Sequence, residues 1–308
     1  MDQDSKIYIA GHTGLVGSAL VRKLKGKYPN LIFISSKELD LRDQKKTQEF
    51  FLKEKPDYVF LAAAKVGGIK ANKEKKAEFI YDNIQIQSNV IHSAWNSGVK
   101  KLLFFASNCM YPKDSKQPIK EEYFFTGAPE ITNDAFAAAK IAGVKMCQAY
   151  REQHGANFIS VVPASLFGPN DNFDLENSHF VPALIRKFHE AKLKNEKTLS
   201  LWGTGTPKRE ILYVDDLADA AIFLMQNYNS PELINIGFGQ DFSIKEISEI
   251  IKKITGFEGN IVFDSKYPDG TMRKLLDSGK INSLEWKPKT SIEEGLRKTY
   301  DWFLSNYK

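Results

Sequence analysis

The chain is short of cysteine, has no long apolar run and shows no internal repeat. Two cysteines, Cys109 and Cys147, give no disulfide framework, so a reducing cytoplasm is the expected setting. No apolar stretch reaches the roughly 18 residues that a bilayer crossing requires, and no membrane partner is expected. The opening Met1-Asp2-Gln3-Asp4-Ser5 lacks the basic and apolar regions of a secretion signal. No metal-ligand set stands out. The net charge of +5 is spread over mixed signs, which speaks against a nucleic-acid partner and suits an anionic small molecule. Lys-rich pieces such as 192–197 read as solvated surface. At 308 residues the chain can bury a large core as one two-lobed unit or as two domains.

What is present is a strand, a glycine loop and a helix in immediate succession. Lys6-Ile7-Tyr8-Ile9-Ala10 is a short apolar run that reads as a buried strand. It feeds Gly11-His12-Thr13-Gly14-Leu15-Val16-Gly17, after which Leu15, Val16, Ala19, Leu20 and Leu24 recur at helical spacing. This context turns a weak glycine pattern into a dinucleotide site: a tight turn at Gly11, backbone close to a pyrophosphate at Gly14, helix-on-strand packing at Gly17 and free N–H groups facing the phosphates. The G-x-x-G-x-x-G spacing points to the short-chain dehydrogenase type of loop.

Further strands are predicted at 31–34, 57–61, 101–106 and 158–163, with helices near 45–53, 75–97 and 135–153 between them. Such alternation implies an α/β fold, a Rossmann-type doubly wound parallel sheet. Beyond Gly168 the alternation loosens. Helices are expected at 182–191, 215–227, 244–254 and 292–306, and extended segments at 199–202 and 260–263. The expected organisation is a dinucleotide-binding domain over 1–165, recovering about 211–227, with a smaller, discontinuous α/β C-terminal substrate lobe over 166–308.

The end of the second strand bears on the cofactor. An acid there usually binds the ribose 2′-OH of NAD. Here Ser35-Ser36-Lys37 precedes the first acid, Glu38, and two hydroxyls with a cation suit a 2′-phosphate, so NADP is favoured over NAD. No arginine stands beside them. Asp40 and Leu41 border the adenine on this reading.

The catalytic candidates centre on an absent hydroxyl. Phe136 and Lys140 are four apart, so they share one helix face. Short-chain dehydrogenases place Tyr-x-x-x-Lys in this way, the lysine lowering the tyrosine pKa so that the phenol can exchange a proton during hydride transfer. Ser107 ends an apolar strand, where a parallel sheet opens its functional crevice, and its hydroxyl can donate to a substrate carbonyl.

Longer segments carry a resemblance that covers nearly the whole chain. They are Ala62-Ala63-Ala64-Lys65-Val66-Gly67-Gly68-Ile69, Ser107-x-Cys109-x-Tyr111-Pro112-Lys113, Ala139-Lys140-Ile141-Ala142-Gly143, Gly168-Pro169-x-Asp171-Asn172-Phe173, Asn177-Ser178-His179, Trp202-Gly203-x-Gly205-Thr206-Pro207 and Pro268-Asp269-Gly270-Thr271. Together they resemble the GDP-L-fucose synthases, a family of extended short-chain dehydrogenases. The resemblance implies inversion at C3 and C5 of a GDP-4-keto-6-deoxymannose, then reduction of C4 with NADPH. It places Cys109 as base and His179 as acid beside the sugar, groups whose pKa values can be tuned towards neutrality. Thr13, Leu15, Val16, Ala63, Lys140 and His179 join the cofactor contacts. Arg209 resembles the family's pyrophosphate arginine, and Lys187 stands where arginine is common. Trp202, Asp269 and Lys274 are implied near the nucleotide, although Trp202 alone reads equally well as core. The family also implies a homodimer through the two long helices.

The chain departs from the family at Phe136, which replaces the tyrosine, and at Ala164-Ser165, which replace Thr-Asn. These departures leave open a substitution made to trap a complex, a natural epimerase-only enzyme or GDP-sugar binder, and a GDP-4-keto heptose as substrate. A simple nucleotide-sugar 4-epimerase is disfavoured, because hydride shuttling has no use for Cys109 and His179.

Overall fold

The computed structural model describes residues 1–267 and 269–307; Pro268, in the Pro268-Asp269-Gly270-Thr271 segment, lies outside the described residues. The first half alternates β1 (Ile7–Ala10), α1 (Leu15–Leu24), β2 (Leu31–Ile32), α2 (Gln44–Glu54), β3 (Tyr58–Leu61), α3 (Ile69–Glu74), α4 (Lys76–Asn96), β4 (Lys101–Phe105), α5 (Asp134–His154) and β5 (Phe158–Pro163). The second half contains β6 (Ser165–Phe167), α6 (Phe180–Leu193), β7 (Thr198–Trp202), β8 (Lys208–Arg209), β9 (Ile211–Tyr213), α7 (Val214–Asn227), β10 (Ile234–Ile236), β11 (Phe242–Ser243), α8 (Ile244–Thr255), β12 (Asn260–Asp264), β13 (Arg273–Lys274), α9 (Gly279–Ser283) and α10 (Ile292–Asn306).

Six strands form one parallel sheet in the order β10-β5-β4-β3-β1-β2. Every residue of β1, β4 and β5 is buried, as expected of strands covered by helices on both faces. One face carries α1 against α7, the other α2, α4 and α5. The chain reverses direction across the sheet between β1 and β3, which opens a crevice at their carboxyl ends. A second core collects Phe167, Phe173, Phe188, Leu201, Ile247, Leu296 and Phe303 around α6, α8 and α10, with small two- and three-stranded sheets beside it.

Local chemistry explains the helix boundaries that bear on the site. Asp43, Ser243 and Ser291 cap α2, α8 and α10 by accepting backbone N–H bonds. The start of α1 differs: Gly14 offers no side chain, so its first N–H groups stay free at the crevice. Helix α5 lies close on the sheet at Gly143, where a methyl group would meet Phe104 at 2.5 Å.

Two expectations need correction. The second strand is confined to Leu31–Ile32, because the chain turns at Ser35, whose carbonyl accepts from the N–H groups of Glu38 and Leu39 at 3.0 and 2.9 Å. The sheet also gains a sixth strand, β10, outside both segments assigned to it from sequence, and α9 packs on that strand. Three residues give no readable periodicity. Asn235 in its centre is fully buried, yet it is satisfied by Tyr111, Ile119, Asp277 and Glu121.

Candidate active site

The crevice is a single cleft of about 1620 Å³ running from the α1 start to β8 and β13. Its cofactor end is made by backbone. Gly11 has φ +83°, and a methyl group there would lie 2.7 Å from the backbone of Ala63. A methyl group at Gly17 would lie 2.0 Å from the Gly11 carbonyl oxygen. Both positions therefore need glycine for the protein's own packing. Gly14 has nothing within 3.6 Å on that side, so the space beside it belongs to the cleft. The uncapped α1 start and this tight loop fit a pyrophosphate. Thr13, Leu15, Val16, Ser35, Ser36, Asp40, Leu41 and Ala63 line the same end.

Lys37 does not line the cleft, because the Ser35–Leu39 turn carries it away. The first acid after the strand, Glu38, folds back on the turn. Glu38 Oε2 accepts from the Ser35 N–H at 3.1 Å and from its hydroxyl at 2.6 Å. Those bonds hold its carboxyl below the usual range. Sequence reasoning also missed an arginine here. Arg42 lines the cleft and donates to Asp40 and, across 40 residues, to Asp82. No local pattern announces that pairing.

In the middle of the cleft, β4 delivers Ser107 and Cys109 on a short 3-10 turn, the serine hydroxyl accepting from the Cys109 N–H at 3.4 Å. Cys109 is buried. Burial raises its thiol pKa, an effect opposed by Ser107, Lys274 and Lys140. Lys140 is also buried; its ammonium donates to the Phe105 carbonyl at 2.7 Å and lies 4.7 and 5.8 Å from the Phe104 and Phe136 ring centres. Burial lowers its pKa to about 8. The Phe136 ring lines the cleft and packs edge-on against Phe79 at 6.2 Å. The helix face, the lysine and the ring are thus in place, with no phenolic oxygen between them.

His179 stands at the N-terminus of α6 with its ring exposed to the cleft. Desolvation by the surrounding cleft walls lowers its pKa below the ordinary imidazole value. Asp171 also lines the cleft, with one carboxyl oxygen accepting from the Asn172 N–H at 2.8 Å and the other buried with no hydrogen-bond partner among the described residues. Burial pushes its pKa up to about 7.

The far end is a pair of cations. Arg209 on β8 and Lys274 on β13 are paired in register, and both line the cleft. Burial lowers the pKa of each. Glu210 holds this corner: its carboxylate accepts from the Gly239 and Leu276 N–H groups at 2.8 and 2.9 Å, and burial pushes its pKa up to about 7. Asp269 lines the cleft but spends both oxygens on Thr204, accepting from its N–H at 2.9 Å and its hydroxyl at 2.7 Å. Lys187 and Trp202 do not line the cleft. Trp202 is 67% exposed and stacks on Tyr267 at 4.4 Å, with the Lys187 ammonium 5.5 Å from its ring centre. It is not a core residue. Among the described residues, no group of three or more His, Cys, Asp or Glu side chains could hold a metal ion.

The family profile described as "NAD dependent epimerase/dehydratase family" matches residues 7–237. GDP-L-fucose synthase 1 of Arabidopsis thaliana is 55% identical over 306 residues, spanning 99% of this chain and 95% of the relative. Among solved structures, a GDP-6-OMe-4-keto-L-xylo-heptose reductase from C. jejuni superposes with a TM-score of 0.95 at 43% identity, covering 99% of both chains. A GDP-L-fucose synthetase from Naegleria fowleri bound to NADP gives a TM-score of 0.93 at 34% identity, covering 100% of this chain and 95% of that one.

Proposed function

Because the chain belongs to the NAD-dependent epimerase/dehydratase family, among the GDP-L-fucose synthases, we propose that it acts on a GDP-4-keto-6-deoxy sugar, inverting C3 and C5 and then reducing C4 with NADPH. One observation carries this reading: a single cleft joins the uncapped α1 start to the Arg209–Lys274 pair, with Cys109 and Lys140 between them. The cations suit a nucleoside diphosphate, and the α1 loop suits a dinucleotide.

The chemistry follows from the ketone. A C4 carbonyl acidifies the hydrogens on C3 and C5, since the carbanion is an enolate. Cys109 takes the proton as its thiolate, which needs the raised thiol pKa to be offset. Lys140 and Lys274 supply that positive field. His179 returns a proton from the opposite face. NADPH bound here supplies the hydride for C4. Ser107 donates to the developing oxyanion, while Lys140 contributes charge but is anchored to Phe105. The phenol that would protonate this oxygen is missing at Phe136, so reduction is the impaired half of the reaction.

The test is incubation with GDP-4-keto-6-deoxymannose in deuterium oxide, with and without NADPH, for the parent chain and Cys109→Ser. Deuterium gain in the parent, lost in the variant, is the expected result. Equal gain in both would move the proton shuttle elsewhere. A heptose substrate is the second reading, favoured by the small Ala164 and Ser165 at the cleft wall. We also propose the 1–165 and 166–308 division with about 211–227 and β10 returned to the first unit, a cytoplasmic location and a homodimer through α4 and α5, where Tyr81 is exposed. No described helix is long and apolar enough to cross a membrane.

A further inference from the structure

One face of α4 is given over to the two loops that flank the adenosine end of the cleft. Asn89 donates to the Leu41 and Arg42 carbonyls at 2.9 and 3.0 Å. Asn83 accepts from the Lys65 N–H and donates to its carbonyl, both at 2.9 Å. On the same helix Asp82, next to Asn83 and nearly buried, has one oxygen 3.1 Å from Arg42 Nη1 and the other 2.9 Å from Lys65 Nζ. Arg42 is gripped on its other edge by Asp40, and Lys65 also reaches Glu78 at 2.6 Å. The two amides secure each loop separately. Asp82 pairs with a side chain from each. Asp40, Leu41 and Arg42 from one loop and Ala62–Lys65 from the other line the cleft beside Ile86. A flat ring entering there must fit between them.

We propose that Asp82 is a positioning residue for the adenosine half of the cofactor. By pairing Arg42 and Lys65 at once, it sets the distance between the 40–42 loop and the 62–65 loop. This rests on the dinucleotide reading above. Exposed ion pairs contribute little on their own. Here, however, the shared carboxylate is nearly buried and its hydrogen bonds are charge-assisted, so losing it frees two side chains at the slot together. Asp82 does not meet the 2′-phosphate through this role, so both cofactors should respond alike.

The experiment titrates NADPH and NADH by fluorescence against the full chain, Asp82→Asn and Asp82→Glu, with GDP binding by calorimetry alongside. Asp82→Asn should weaken both cofactors by one shared factor of about ten, with GDP unchanged and Asp82→Glu recovering most of the loss. Unchanged cofactor affinity overturns the proposal. So does tighter NADPH binding, or a change confined to NADPH, either of which would mean that Asp82 merely restrains Arg42 from the 2′-phosphate. An equal loss for GDP would mean general loosening and also overturns it. A parent chain that binds neither cofactor defeats the dinucleotide reading itself, and this proposal with it.

Discussion

At the phosphate-loop end of the cleft the wall is backbone, in one continuous stretch from Gly11 to Gly17. On the sugar side, segments far apart in the chain each contribute one or two side chains: Ser107 and Cys109 from the end of β4, His179 from the start of α6, Arg209 from β8 and Lys274 from β13. The first wall depends on the absence of side chains, because methyl groups at Gly11 or Gly17 would collide with the protein's own backbone. The second depends on long side chains in partly desolvated positions, with pKa values displaced by burial. On our reading of the site, the contrast teaches that a pyrophosphate would meet many N–H groups at the glycine loop, whereas the sugar nucleotide would depend on a few replaceable side-chain atoms.

The largest effect expected from any single change comes at Phe136, where the sugar side lacks one atom. Restoring the phenol with Phe136→Tyr should raise NADPH-dependent turnover by roughly two to four orders of magnitude, since a positioned general acid contributes about that much. Substrate affinity should barely move, because binding rests on the nucleotide contacts. The gain is read from NADPH absorbance at saturating substrate. Comparable rates would mean that another group already protonates the C4 oxygen.

A paired truncation tests the contrast directly. Arg209→Ala should weaken GDP binding by roughly tenfold to a hundredfold, in line with the loss of a charge-assisted hydrogen bond. Thr13→Ala, on the backbone-made wall, should cost NADPH no more than about tenfold, the range for one neutral hydrogen bond. Calorimetry on both variants decides it. A larger loss for Thr13→Ala would break the distinction between the walls.

The smallest effect concerns Asp171. Its folded pKa of about 7 lies above its ordinary value of 3.8, so the proton binds more tightly in the folded state. Its stabilising contribution is therefore complete below about pH 4 and is lost as pH rises towards 7. Asp171→Asn keeps a neutral group there and should melt a few degrees higher than the parent at pH 8, the gap closing by pH 4. A gap independent of pH would show that the buried oxygen is not what titrates. Melting curves without cofactor give the answer.

Legibility in the sequence followed the same division. The β1–loop–α1 unit, the long helices and the Phe136–Lys140 spacing could be read because each is a local pattern, set by backbone sterics or helical period. Ile234–Ile236 could not, being too short to show a period, nor could Arg42 and Asp82, which meet across 40 residues. Lys37 and Trp202 stand outside the cleft lining for a related reason. Lys37 lies on a turn whose direction is fixed by Ser35 and Glu38, and Trp202 on a strand whose exposed face meets Tyr267.

By itself, the sequence determined that a glycine loop between a buried strand and a helix would leave free N–H groups, and that a phenyl ring would stand where a phenol is needed. Both follow from covalent geometry and need no distant partner. Only the tertiary structure decided that Glu38 folds back on Ser35, that Arg209 and Lys274 become neighbours, and that Asp82 bridges two loops. Those contacts join residues whose separation along the chain is bridged by the packing of whole elements, and side-chain burial, which sets their protonation, exists only once that packing is complete.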